Sequence, residues 1–173
     1  MPIFGARGSA LRAKLIAGAA LSAMICGAAA PAAADDITII IDSLQALDRI
    51  DPGGGQADFY AQVTIDGSIY RSPRIRRADV VRPNWVFSKR VRPGTYDVKI
   101  ELFDKDVFSK DDLIDINRLD GKRDLDFRVR TRPCSVLDFA EPYACRGRGV
   151  TITRAGREPK SAEIRFTVDT RRH

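Results

Sequence analysis

Tyr96-Asp97-Val98-Lys99-Ile100-Glu101-Leu102 alternates apolar and charged side chains without a break. Successive side chains of a strand point to opposite faces, so this stretch has one face for a core and one for water. The same period recurs on both sides of it. Phe59, Ala61, Val63 and Ile65 alternate with Tyr60, Gln62 and Thr64. Leu125, Phe127 and Val129 alternate with Asp126, Arg128 and Arg130, and Ile164, Phe166 and Val168 with Arg165 and Thr167. Ile37 to Ile41 and Asn84 to Val91 are more continuously apolar, and both predict strands. Asp66-Gly67, Pro93-Gly94 and Asp120-Gly121 supply turns between these stretches, and no window has a helical period. The reading is an antiparallel β-sandwich of seven or eight strands in two sheets around one core.

Composition narrows the setting. The chain has 173 residues and a formal charge of +6, but Arg7, Arg12 and Lys14 fall in an opening stretch with no acid. An uncharged run from Leu15 to Ala30 follows, then Pro31-Ala32-Ala33-Ala34 before Asp35-Asp36. A basic start, an apolar run and a small-residue site make a secretory signal, so residues 1–34 are expected to be removed after Ala34. The domain would then be 35–173, with 26 basic and 23 acidic side chains and a net charge of +3. Such a product is expected to be secreted or periplasmic. There Cys134 and Cys145, in a loop near 132–149, have a spacing compatible with a disulfide.

The chemistry gathers in the segment that leaves Tyr96 to Phe103. Asp104 and Asp106 are two apart at the end of a strand, and Asp112 returns after a short loop. A second acidic loop, Asp48 to Asp58, runs into Phe59 and carries Asp51. If both loops lie at one end of the sandwich, Asp51 and Asp58 face Asp104, Asp106 and Asp112. Like charges at 4 Å repel by about 4 kcal/mol at an effective dielectric of 20, and a hard cation relieves this. Calcium suits an all-oxygen, irregular site, whereas zinc lacks clustered His or Cys. An EF-hand is excluded, because Ser109 stands where its loop needs Gly and no helix flanks it.

These parts, in order, resemble the C2 domain family. Asp58-Phe59-Tyr60 is similar to its Asp-Pro-Tyr, Arg82-Pro83-Asn84-Trp85 to its Asn-Pro-x-Trp/Phe region, and Phe103-Asp104-Lys105-Asp106 through Asp112 to its third calcium loop. The resemblance implies an all-β, eight-stranded antiparallel β-sandwich that acts as a calcium-binding, lipid-docking module. Asp51, Asp58, Asp104, Asp106 and Asp112 would be the carboxylate ligands, with the carbonyls of Ile50 and Lys105 as candidate additions. Val107 and Phe108 would be the tip residues entering a bilayer, and Arg71, Arg74, Arg76 and Arg77 resemble the family's basic cluster on the third and fourth strands. Phe59 replaces the usual Pro, Asp115 stands in place of a usual Gly, and the first loop is one residue longer, which leaves Asp48 as an alternative to Asp51.

The partner implied is an anionic phospholipid or membrane surface, with a protein partner and a metal-free or structural-calcium sandwich as the alternative. No enzyme is expected: the sole histidine is His173 at the terminus, and there is no phosphate-binding Gly-rich loop. Nucleic acid is not an expected partner, given export and the modest mature charge.

Overall fold

Isoleucines 37, 39 and 41, all fully buried, make one face of β1 (Asp35–Ala46) part of the core floor. A computed structural model describes residues 33–50, 55–106, 110–139, 142–145 and 149–173. In it, β1 is lined on one side by β12 (Ala162–Arg172). Its other side is lined end to end by β4 (Val80–Val81) and β5 (Trp85–Val91). Beyond β12 lies β11 (Val150–Ala155).

The second sheet is built on β6 (Thr95–Asp104), the strand whose alternation is clearest. On one side it pairs with β2 (Phe59–Ile65), which carries β3 (Ser68–Arg71) on its far edge. On the other it pairs with β7 (Asp112–Ile114) and β8 (Leu125–Thr131), followed by β9 (Cys134–Leu137) and β10 (Tyr143–Ala144). All strand pairs are antiparallel. The inner faces meet in one core, where the Phe127 and Phe166 rings from opposite sheets stack at 5.6 Å. Each such fully buried apolar side chain contributes about 1.5 to 3 kcal/mol.

The architecture is the expected sandwich, though the described residues form twelve strands where eight were expected. Interruption explains part of the difference: β4 and β5 share one edge of β1, and β7 and β8 share one edge of β6. Joined, these leave four lines in one sheet and six in the other, the extra two being β9 and β10. The cysteine segment is therefore a short hairpin, closed by the Cys134–Cys145 disulfide and a Cys145 N–H to Cys134 O bond of 3.1 Å. At the β2–β3 turn, Asp66 and Gly67 both have positive φ (46° and 74°), the two-residue geometry whose twist matches a hairpin.

Chain direction fixes which connections share a pole. β1 ends, β2 begins, β6 ends and β7 begins at one end of the sandwich, where the β3–β4 and β11–β12 connections also lie. Asp35 sits at the opposite pole, nearly fully buried, with both carboxylate oxygens 3.0 Å from Arg132 Nε. Of the expected signal segment, only Ala33 and Ala34 are among the described residues.

Candidate functional site

The two acidic segments do meet at one rim. Phe59 pairs with Asp104 across β2 and β6, so Asp58 stands beside the end of β6. The Asp58 N–H donates to Asp104 Oδ1 at 2.6 Å, and the Lys105 N–H donates to the Asp58 carbonyl at 3.0 Å. Asp112 pairs with Asp104 from the other side, through β7. Three of the five expected ligand residues are thus neighbours across three strand ends. Asp106 follows two residues after Asp104 in the same rim, whereas Asp51, Val107 and Phe108 lie outside the described residues.

Proximity of the strands does not aim the carboxylates at one point. Asp58 Oδ1 accepts the Arg77 N–H at 2.8 Å, and its Oδ2 lies 3.6 Å from Arg74 Nη1. Asp112 accepts from Lys160 Nζ, a residue of the β11–β12 connection. Asp104 is only 4% exposed. Among the described residues, no three Asp, Glu, His or Cys side chains are arranged to hold a metal ion. The oxygen-only donor chemistry suits calcium, but the arrangement of these carboxylates does not fit it. Asp48, the alternative first-loop ligand, accepts the Ser161 N–H at 2.8 Å and fastens the β11–β12 connection instead.

The four arginines are placed unevenly. Arg71 ends β3 on the outer face of its sheet, while Arg74, Arg76 and Arg77 belong to the connection toward β4, at the rim itself. Arg71 and Arg74 join Tyr60, Ser72, Lys105 and Asp111 around a cavity of about 230 Å³. Tyr60 is its organising residue. Its ring stacks on cross-strand Phe103 at 5.0 Å and 10°, the Arg71 guanidinium lies over it at 5.3 Å, and its hydroxyl donates to Asp111 Oδ2 at 2.7 Å. Burial, then the bond to Asp111, pushes the Tyr60 phenol up to about 12, so it stays a neutral donor. Lys105 Nζ donates to Asp111 Oδ1 at 2.7 Å, and this bond, ahead of the Tyr60 hydroxyl, holds the Asp111 carboxyl below its usual value. Arg74 is also met by the Asp58 carboxylate at 3.6 Å, so three cations face two carboxylates, and the one positive charge in excess favours an anion.

Tyr60, Lys105, Asp111 and Lys160 are site residues that the sequence reading does not assign these roles. A signal exists for Tyr60: it falls on the water-facing side of an alternating strand, opposite Phe103, and such aromatic cross-strand pairs stabilise sheets. Nothing local marks Lys160, whose partner is distant in sequence.

A larger depression, of about 830 Å³, involves the middle of β6 and β8. Several of its charges are already matched, Lys99 with Asp124 at 2.7 Å and Arg128 with Asp138 at 2.7 Å, while Arg154 lies over the Phe139 ring at 4.3 Å. The small rim cavity, by contrast, adjoins the strand ends that carry Asp58, Asp104 and Asp112.

The described residues form a two-sheet antiparallel sandwich whose charged loops gather at one pole, the place where such scaffolds carry functional residues. The chain belongs to the C2 domain family, whose pattern it matches over residues 36–132. No curated protein matches. Among solved structures, the paired C2 domains of extended synaptotagmin 2 are similar at 18% identity and a TM-score of 0.55, covering 91% of this chain and 48% of that one. Human GIVD cytosolic phospholipase A2 is similar at 11% identity and a TM-score of 0.52, covering 82% of this chain and 17% of that one. A C2 domain of plant extended synaptotagmin 1 is similar at 10% identity and a TM-score of 0.50, covering 80% of this chain and 95% of that one. The chain thus spans less than half the length of the first two. C2 domains are typically calcium- or lipid-binding modules and generally non-catalytic.

Proposed function

We propose that this chain is an exported C2 module that docks on an anionic phospholipid surface with its acidic and basic rim. The observation that carries the reading is the Tyr60 cavity, where Arg71, Arg74 and Lys105 line a space of about 230 Å³, large enough to admit a phosphate group. Guanidinium groups match phosphate oxygens through paired N–H donors, and the neutral Tyr60 hydroxyl adds a further polar group. Arg76 and Arg77, from the same connection as Arg74, extend the positive field across the rim. Each Lys or Arg near an anionic surface contributes about 1 kcal/mol.

Export is supported by the signal pattern of residues 1–34 and by a disulfide of the kind that persists in oxidising compartments. Asp51, Asp58, Asp104, Asp106 and Asp112 are the residues on which a calcium-binding version of the reading stands. The donors already held by Asp58 and Asp112 favour a metal-free version.

Sedimentation with vesicles tests the proposal. The protein should pellet with phosphatidylserine vesicles and remain in solution with phosphatidylcholine alone, and Arg71→Gln should weaken pelleting about fivefold, the effect of one lost cation. Equal behaviour on both vesicle types would refute it.

A further inference from the structure

Three acidic residues of the rim are each met by a cation of the chain itself. Asp58 holds Arg74, Asp111 holds Lys105 at 2.7 Å, and Asp112 holds Lys160. The three cations come from three separate connections, so one local sequence motif does not account for the pattern. Lys160 lies beyond residue 132, where the family match ends.

The position of Lys160 is built. The Asp115 N–H donates to the Lys160 carbonyl at 2.9 Å, and the Ala162 N–H donates to the Asp115 carbonyl at 2.9 Å. Asp115, fully buried, uses one carboxylate oxygen to accept the Arg157 and Glu158 N–H groups at 2.6 and 2.7 Å. Ser161 is tied to Asp48 at 2.8 Å. These bonds fix the β11–β12 connection against β7, three residues from Asp112, and deliver the ammonium group to that carboxylate. A divalent ion seated among Asp58, Asp104 and Asp112 would meet two positive groups already bound there, and like charges at such range repel.

We infer that Lys160 and Arg74 take the place of a divalent cation at this rim, making docking constitutive where a calcium-gated module would need the ion. The claim of constitutive docking rests on the proposed function, and the claim of ion replacement stands apart from it.

Calorimetric titration with calcium chloride separates the alternatives. The wild-type protein should give no saturable binding below about 1 mM, the weak end of calcium sites. A Lys160→Met, Arg74→Met double variant should bind calcium at least tenfold more tightly. Micromolar saturation of the wild-type protein, or a folded double variant with no gain, would overturn the inference. Should the double variant not fold, Lys160→Gln keeps a donor for Asp112 without the charge. Its melting temperature should rise with calcium more than that of the wild type, and an equal rise would overturn the inference. Vesicle pelleting in chelator and in calcium is the second arm. Equal pelleting supports constitutive docking, and pelleting in calcium alone overturns it. Pelleting in neither removes the docking reading and leaves ion replacement to be decided by the calorimetry.

Discussion

Replacing Asp115 by alanine should strip the acceptor from three backbone donors at once. Its carboxylate receives the N–H groups of Asn117, Arg157 and Glu158 at 2.9, 2.6 and 2.7 Å, and the residue is fully buried. A buried donor left without a partner costs about 1 to 3 kcal/mol, more when the lost acceptor was charged. Arg157 is exposed and Glu158 partly so, which lets water recover some of that loss. The net expectation is a destabilisation of about 2 to 4 kcal/mol. For a domain of this size that lowers the melting temperature by about 6 to 12 °C. Thermal unfolding followed by circular dichroism, with urea unfolding beside it, reads both quantities. Asp115→Asn, which keeps one acceptor, should fall between the wild type and Asp115→Ala. A drop of less than about 2 °C in the alanine variant would refute the account of how the β11–β12 connection is held.

Other outcomes follow from the same geometry. In Gly156→Ala the new Cβ would stand 2.0 Å from the Asp115 carbonyl oxygen, so the backbone must move, and the urea midpoint should report a loss of about 3 kcal/mol. Hydrogen bonding by Arg132 holds the Asp35 carboxyl below its ordinary value of 3.8, outweighing the opposing effect of burial. A depressed folded-state pKa contributes stability above the unfolded value that is lost as pH falls through the folded one. Arg132→Met should therefore flatten the fall in stability below about pH 4, and an unchanged acid-unfolding curve would contradict this. Reduction of the Cys134–Cys145 bridge, which closes a loop with a sequence separation of 11, should lower stability by about 2 to 3 kcal/mol in thermal melts compared with and without reductant.

The sandwich is legible because its longest strands bury one face only. The alternation of β2, β6, β8 and β12 states which residues face the core, and Val63, Ile100 and Val129 are all fully buried as that pattern requires. β11 escapes a reading by period although Val150, Ile152 and Arg154 occupy alternate positions, because Arg154 lies over the Phe139 and Tyr143 rings where an apolar residue would complete the pattern. β9 and β10 read as a loop, since stretches of four and two residues are too short to display a period. At the rim, the acidic spacing points to Asp58, Asp104 and Asp112, whose strand ends lie side by side. It does not reveal what each carboxylate binds. Arg74 and Lys160 reach those groups through long-range pairing, and a linear reading of acids at calcium spacing has no view of cations delivered from other connections.

The orientation of docking is the claim nearest the centre of this account, and a depth measurement reaches it directly. Single spin labels at Arg76, exposed on the rim, and at Arg92, just past the end of β5 at the opposite pole, would be compared on phosphatidylserine vesicles in chelator. The account predicts that the Arg76 label moves to headgroup depth and loses access to water-soluble quencher while the Arg92 label does not change. Protection of Arg92 instead, or of neither label on vesicles that bind the protein, would contradict it.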